Sequence, residues 1–352
     1  MSIAAVFSQN SSGEEEVHPV HREWMSSVAD SIIHLEYSSL PSPLNKTFCN
    51  GLSQLRVGTL PESDVYLLEK PKHLYFLPKL KRKAPNSTII YLHATCRFLG
   101  AKQYPRMAWG RKWPIGVVER TADGKMLREL LRRYVDGVIT VSKLLENQIL
   151  DFAEIPTRVV HPFVPKERAN EFAQIEHSNQ GRWITVLAEN RPRKGVELVV
   201  EAWKDIVADF EQYELHIAGR GQNSRFQDCE RVLVHGFVES LPDFFTSSDL
   251  HIHPAHCDPF PVSTIEAMMA GVPTIVSKYT GTRKLTSDVS REQVVDTTKE
   301  SVRSAMKRNL KRPESDLRSI REESRRIAMD YQEGTEETNF VGRFNSLLSQ
   351  VN

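Results

Sequence analysis

No apolar run in this chain approaches the roughly 18 residues needed to cross a membrane, and the opening MSIAAVF is too short for a secretory signal. Charge of one sign is also missing, since 46 Lys and Arg stand against 45 Asp and Glu for a formal net charge of +1. The chain therefore has no global pull toward nucleic acid or an anionic membrane, and attraction for an anion must be local. Cysteine is sparse. Cys49, Cys96, Cys229 and Cys257 are scattered without a Cys-x-x-Cys pair, which indicates neither a zinc site nor a disulfide framework. No repeat of about 20–50 residues is visible. A globular protein of the reducing cytoplasm is the expectation, with the sequons at Asn10, Asn45 and Asn86 read as coincidence. At 352 residues, 40% hydrophobic and 26% charged, the chain is too long for one core and calls for about two domains.

What is present is alternation. Short β-branched runs at Ile3 to Phe7, Val65 to Leu68, Thr88 to Leu92 and Val138 to Val141 read as strands. Helix spacing appears at Ser26 to Tyr37 and Lys125 to Tyr134. The second half repeats the pattern, with strands at Trp183 to Leu187, Glu214 to Ala218, Arg231 to Val234, Leu250 to His253 and Thr274 to Val276. Such alternation predicts α/β architecture, parallel sheets wrapped by helices. The prolines around Pro162 to Lys166 mark a linker. Thr297 to Glu337, dense in both charges, reads as surface helices, and Phe340, Phe344, Leu347 and Leu348 as a final amphipathic turn.

The most informative segment is DPFPVSTIEAMMAGVPTIVS, Asp258 to Ser277. Asp258 stands just ahead of a helix and Glu266 lies eight positions on, a little over two turns later. Pro259 and Pro261 stiffen the approach, Ser263 and Thr264 suit a helix start, and the amides from Val262 onward are unpaired there. A helix N-terminus of this kind receives a phosphate without a metal. The two acids would meet neutral hydroxyls on either side, which outlines a nucleotide-sugar site.

The segment resembles the Glu-x7-Glu motif of the retaining glycosyltransferases of family 4, with Asp258 in place of the first Glu. RPRKGVELVVEAW (Arg191 to Trp203), YELHIAGRG (Tyr213 to Gly221) and VLVHGFV (Val232 to Val238) are similar to other segments of that family, in the same order. The resemblance implies a GT-B fold, two Rossmann-like domains facing a cleft. Residues 1–163 would form an acceptor-side domain, 164–335 a nucleotide-sugar-binding domain, and 336–352 a helix crossing back to the first. It further implies that Asp258 receives donor-sugar hydroxyls and steadies positive charge near the anomeric carbon, while Glu266 accepts the ribose hydroxyls. The backbone of Phe260, Pro261, Val262 and Ser263 would face sugar and phosphate, and Thr280 would line the same site.

Sugar transfer from a nucleoside diphosphate needs charge stabilisation as the diphosphate leaves. The chain has no Asp-x-Asp, the usual metal holder of such enzymes, but clusters Arg191, Arg193 and Lys194, well matched to a pyrophosphate. Neither a metal nor another cofactor is expected. Glu189 stands where the family commonly has an Arg, and a carboxylate there would repel the diphosphate. Gly219 and Phe237 are the candidates for the base-side wall. In the first half, His93 matches a family His beside donor sugar and acceptor, and Gly13 would let backbone approach the diphosphate. No covalent nucleophile emerges, so retention would need front-face substitution. Lys102 to Trp113 interleaves aromatics with cations and suits a lipid headgroup interface, with PKLKRK (Pro78 to Lys83) extending it. That reading is compatible with a glycan or lipid-linked acceptor and peripheral contact at the inner membrane face, and a soluble hydroxyl acceptor stays open beside it. The rivals are a non-catalytic GT-B subunit supporting a partner transferase and a nucleotide-sugar epimerase.

Overall fold

The computed structural model describes residues 1–9, 15, 17–36, 60–98, 115–176 and 182–352. They divide into two compact units. The first holds the described residues up to Pro162 together with Glu336–Asn352, and the second holds Phe163–Thr335.

The first unit is built on a six-stranded parallel sheet of β1 (Ile3–Gln9), β2 (Ser31–Glu36), β3 (Val65–Leu68), β4 (Thr88–His93), β5 (Gly137–Thr140) and β6 (Thr157–Val159), in the order β2-β1-β3-β4-β5-β6. β3 and β4 are buried along their whole length, as expected of parallel strands covered on both faces. On one face Val6, Tyr66, Leu68, Tyr91 and Val138 pack with Leu77, Leu127 and Leu131. The terminal helix (Thr335–Val351) docks on this unit, stacking Phe340 on Trp24 at 5.3 Å between ring centroids. At Gly137 the terminal helix comes so close that a Cβ there would lie 3.0 Å from Leu347 Cγ and from Ile90 Cδ1.

One sequence expectation is corrected here. Ser26 to Tyr37 is not one helix; a helix covers Pro19–Val28 and the chain then enters β2. Val28, Ile32, Ile33 and Leu35 fit either period, and pairing with β1, Ala4 beside Ser31 through Gln9 beside Glu36, decides for the strand. Asp30 seals the join by accepting the Ile3 N–H at 2.8 Å.

The second unit has β7 (Trp183–Leu187), β8 (Glu214–Ala218), β9 (Val232–Gly236), β10 (Ser248–His253), β11 (Thr274–Ser277) and β12 (Val294–Val295), in the order β12-β11-β10-β7-β8-β9, again all parallel. Ile184, Val186, Leu215, Ile217 and Ile252 pack against Val199, Trp203, Val302 and Met306 from the helices Val196–Lys204 and Lys299–Leu310. Among the described residues, no helix is long and apolar enough to cross a membrane.

Candidate functional site

The second sheet grows outward from β7 through β8 to β9, and then the chain returns to the other side of β7 with β10. Open parallel sheets bind ligands beyond the carboxyl ends of their strands, at the point where the order reverses. That point lies between β7 and β10. Arg191, Arg193 and Lys194 follow β7, and Asp258, Phe260 and Pro261 follow β10. The other candidates of this unit also lie at carboxyl ends, Gly219 after β8, Phe237 after β9 and Thr280 after β11.

Residues 64 positions apart meet there. Lys194 Nζ stands 2.5 Å from Asp258 Oδ2, and His253, the last residue of β10, brings Nε2 to within 2.8 Å of the same oxygen. Backbone contacts explain the approach. Arg193 gives a guanidinium N–H to the Cys257 carbonyl at 3.1 Å, and its own carbonyl accepts the His256 N–H at 2.7 Å. Gly195, at φ 73°, lets the chain turn into the next helix where a Cβ would lie 2.5 Å from the Pro254 carbonyl oxygen. Asp258 is pinned on its other side, its N–H donating to Tyr279 O at 3.1 Å and its carbonyl accepting the Gly281 N–H at 2.9 Å. Thr280 gives its hydroxyl to Ser277 O at 2.9 Å, so its side chain holds the turn that clamps Asp258.

Burial alone would push the Asp258 carboxyl up, but the Lys194 ammonium and the hydrogen bond from His253 hold it well below the usual carboxylate range. Asp258 is thus a fixed anion, unsuited to giving up a proton. Burial lowers the His253 pKa, against the opposing pull of Asp258, so the neutral ring donates its Nε2–H to the carboxylate.

The helix Val262–Met269 begins at Pro261, with no side chain capping it. Its first amides, those of the part-buried Val262 and Ser263, are left for whatever lies beyond. Phe260 packs on the Tyr331 ring at 6.0 Å between centroids, which fixes the backbone leading to the helix. Glu266, 5% exposed, places Oε1 3.2 Å from an Arg168 guanidinium nitrogen. Burial raises its pKa and Arg168 opposes the rise.

The base-side candidates differ in kind. Gly219, at φ 125°, lies where a Cβ would be 2.1 Å from the Ala188 carbonyl oxygen, so the protein's own backbone requires glycine there. Phe237 is 67% exposed, with the Arg220 guanidinium 5.3 Å from its ring centroid, an open aromatic face backed by a cation. Arg191 is engaged locally, its Nε 2.6 Å from Glu189 Oε2. Glu189 therefore carries its own counter-ion.

In the first unit, His93 ends β4 fully buried, with neither ring nitrogen hydrogen-bonded among the described residues. Its ring packs against Tyr91 and Phe98 at 5.8 and 4.8 Å between centroids, and burial pushes its pKa down to about 3. The order of this sheet reverses between β1 and β3, where Ser8 Oγ lies 2.8 Å from His73 Nε2 and His21 Nδ1 lies 3.2 Å from Glu69 Oε1. Gly13 and Lys102 to Trp113 lie outside the described residues. Of the basic run Pro78 to Lys83, Lys81 is drawn inward to Asp136 at 3.1 Å and to the Ser87 carbonyl at 2.6 Å. Sequence reasoning missed His253, Arg168 and Arg220. His253 left one signal, an alternation with His251 in a strand leading to the acidic loop; Arg168 left none.

Residues 167–326 match the family model described as glycosyl transferases group 1. Among curated proteins, the chain is 22% identical over 180 residues to a mannosylfructose-phosphate synthase of Agrobacterium fabrum, covering 43% of this chain and 40% of that protein. It is 26% identical over 167 residues to an uncharacterized glycosyltransferase of Methanocaldococcus jannaschii, covering 41% and 43%. The matches thus span about two fifths of these relatives' length. Among solved structures, a sucrose-phosphate synthase from Thermosynechococcus elongatus is similar at a TM-score of 0.71 with 16% identity, covering 99% of both chains. Anabaena HepE in complex with UDP and glucose is similar at 0.69 with 13% identity, covering 99% of both.

Proposed function

We propose that this chain, whose second unit belongs to the glycosyl transferases group 1 and whose two sheets have the GT-B fold, transfers a sugar from a nucleoside-diphosphate sugar to a hydroxyl acceptor, with retention and without a metal. The observation that carries this reading is the meeting of Lys194 and Asp258 at the reversal of the second sheet, beside the uncapped start of Val262–Met269. Cations, a fixed anion and free amides stand together there, which is what a departing diphosphate and a sugar gaining positive charge require.

In this reading the amides of Val262 and Ser263, with Arg193 and Lys194, receive the diphosphate. Arg191, already paired with Glu189, contributes least. Asp258 turns its charge toward the sugar as the anomeric carbon becomes cationic, and Lys194 and His253 hold that carboxylate in place. Glu266 accepts the ribose hydroxyls, and Phe237 with Arg220 offers a face to the base. The bond from the anomeric carbon to the diphosphate oxygen breaks, the acceptor oxygen bonds to that carbon from the same face, and the acceptor's proton passes to the departing oxygen. His93, neutral at ordinary pH, serves as a hydrogen-bond partner to a hydroxyl rather than as a cation. HepE is seen with UDP and glucose, which makes UDP-glucose the first donor to try. The acceptor in this reading is a glycan or lipid-linked sugar, met in the cytoplasm, with Lys102 to Trp113 touching the inner membrane face.

A thermal-shift panel of UDP, GDP, ADP and dTDP sugars tests this, paired with an assay for nucleoside diphosphate released without acceptor. One sugar of the panel should raise Tm, because a ligand of the folded state stabilises by mass action, and should be slowly hydrolysed. No shift with any of the four defeats the donor site. A shift without release of nucleoside diphosphate favours a non-catalytic subunit.

A further inference from the structure

Arg168 was invisible as a functional residue in the sequence, yet it is the partner the structure gives to Glu266, 98 positions away. It projects from the helix Lys166–Ala173, which packs along Val262–Met269 within the second unit. The carboxylate is 7% exposed at its side chain while Arg168 is 49% exposed, so the pair runs from interior to surface. The guanidinium donates to Oε1, and among the described residues no hydrogen bond engages Oε2. A guanidinium is planar and permanently charged, so it can fix one edge of a carboxylate and leave the other free.

We propose that Arg168 is a positioning residue, which ties down Oε1 of Glu266 and thereby presents Oε2 to the ribose hydroxyls of a bound nucleoside diphosphate. The inference rests on the donor-site reading above and adds what keeps that acid competent. A hydroxyl pair is bound well by a carboxylate and poorly by a carboxylic acid, which has given up part of its acceptor capacity. Burial drives Glu266 toward the acid form, and Arg168 is the group opposing it. Other charged groups on the packed elements are engaged elsewhere or bear less directly. Arg321 pairs with Asp249, Arg325 bonds the Ile175 and Ala270 carbonyls, and His253 is bound to Asp258. His251 on β10 and Lys166, Glu167 and Glu171 beside Arg168 contribute nothing resolved to the Glu266 carboxyl.

The test is calorimetric binding of UDP-glucose, or of whichever panel sugar the wild type binds, at about pH 6 and about pH 8, using a ligand whose diphosphate diester does not titrate in that range. Arg168→Gln should bind about tenfold more weakly at the lower pH, because without the guanidinium nothing opposes the push of burial toward the acid form, and lose less than about threefold at the higher. Arg168→Lys, which keeps the charge, should recover most of the loss. In a Glu266→Gln background, Arg168→Gln should add nothing. An equal loss at both pH values, or a further loss in that background, would overturn the proposal by showing that Arg168 acts on the ligand or the fold independently of Glu266. If the wild type binds the sugar and Glu266→Gln binds it equally well, the ribose role itself has failed, an outcome distinct from failure of the Arg168 pairing. A wild type that binds none of the panel overturns the donor-site reading and this inference with it.

Discussion

Lys194 and Asp258 form a buried ion pair at 2.5 Å, with side chains only 17% and 6% exposed, across the reversal point of the second sheet. Neither charge is screened by bulk water, so each sets the other's behaviour. The pair accounts for an acid that stays ionised in the protein interior, and it makes the site's main cation dependent on its main anion.

Asp258→Asn therefore tests chemistry and architecture together. If Asp258 steadies a cationic sugar as proposed, turnover should fall by about 10²-fold or more while donor Kd changes little. The melting temperature should also drop, since Lys194 keeps a buried charge without its partner, a loss of about 3–5 kcal/mol in comparable pairs. Single-turnover kinetics and thermal melts separate the two effects. Normal turnover with a raised donor KM would move the catalytic role away from Asp258.

If fixed cations and helix amides take the role a metal would play, as proposed, transfer should persist in excess chelator, within about twofold of the untreated rate. Lys194→Gln should in turn lose about 10²-fold or more in kcat. Loss in chelator that magnesium or manganese restores would defeat the cation argument.

Stability should decline as pH falls below about 6.5, ahead of ordinary carboxylate titration. His73, His93 and His251 are buried, with pKa values pushed down to about 3 by that burial. Above the ordinary histidine value both folded and unfolded chains hold these rings neutral, so they contribute no pH dependence. Below it the unfolded chain takes up protons that the folded protein refuses, at a cost of about 1.4 kcal/mol per pH unit for each ring. Denaturant midpoints between about pH 7 and pH 4.5 measure the slope, and His251→Phe should lessen it by one ring's share. A flat profile down to about pH 5 would mean that these rings become protonated in the folded state.

Gly219 and Gly221 should answer differently to alanine. Both have positive φ, 125° and 70°, but a Cβ at Gly219 would meet the Ala188 carbonyl oxygen at 2.1 Å, whereas at Gly221 nothing lies within 4 Å. Gly221→Ala should cost about 1–2 kcal/mol, the price of the left-handed backbone alone. Gly219→Ala should cost about 3 kcal/mol or more, because backbone must move as well. Equal costs in denaturant titrations would show that the Ala188 contact yields easily.

Some of this architecture was legible in the chain alone, and the boundary of legibility is physical. β3, β7 and β8 lie at the bounds their apolar runs mark, because strands buried on both faces are mostly apolar, with Thr185 and His216 the buried polar exceptions. The family likeness was legible as well, since ordered motifs survive in sequence where whole-chain identity to solved structures has fallen to 16% or below. β2 was not, because Ile32, Ile33 and Leu35 satisfy both periods and the choice belongs to β1, more than twenty residues away. The loop holding Asp258 was legible as a helix entry marked by its prolines, but its position is held by Arg193, Tyr279 and Gly281. Its electrostatic state is not local: Lys194 and Arg168 reach Asp258 and Glu266 from 64 and 98 positions away. Most secondary structure follows from neighbours along the chain, β2 being decided by its pairing with β1, whereas charge pairing depends on distances that exist only once the sheet has chosen its strand order.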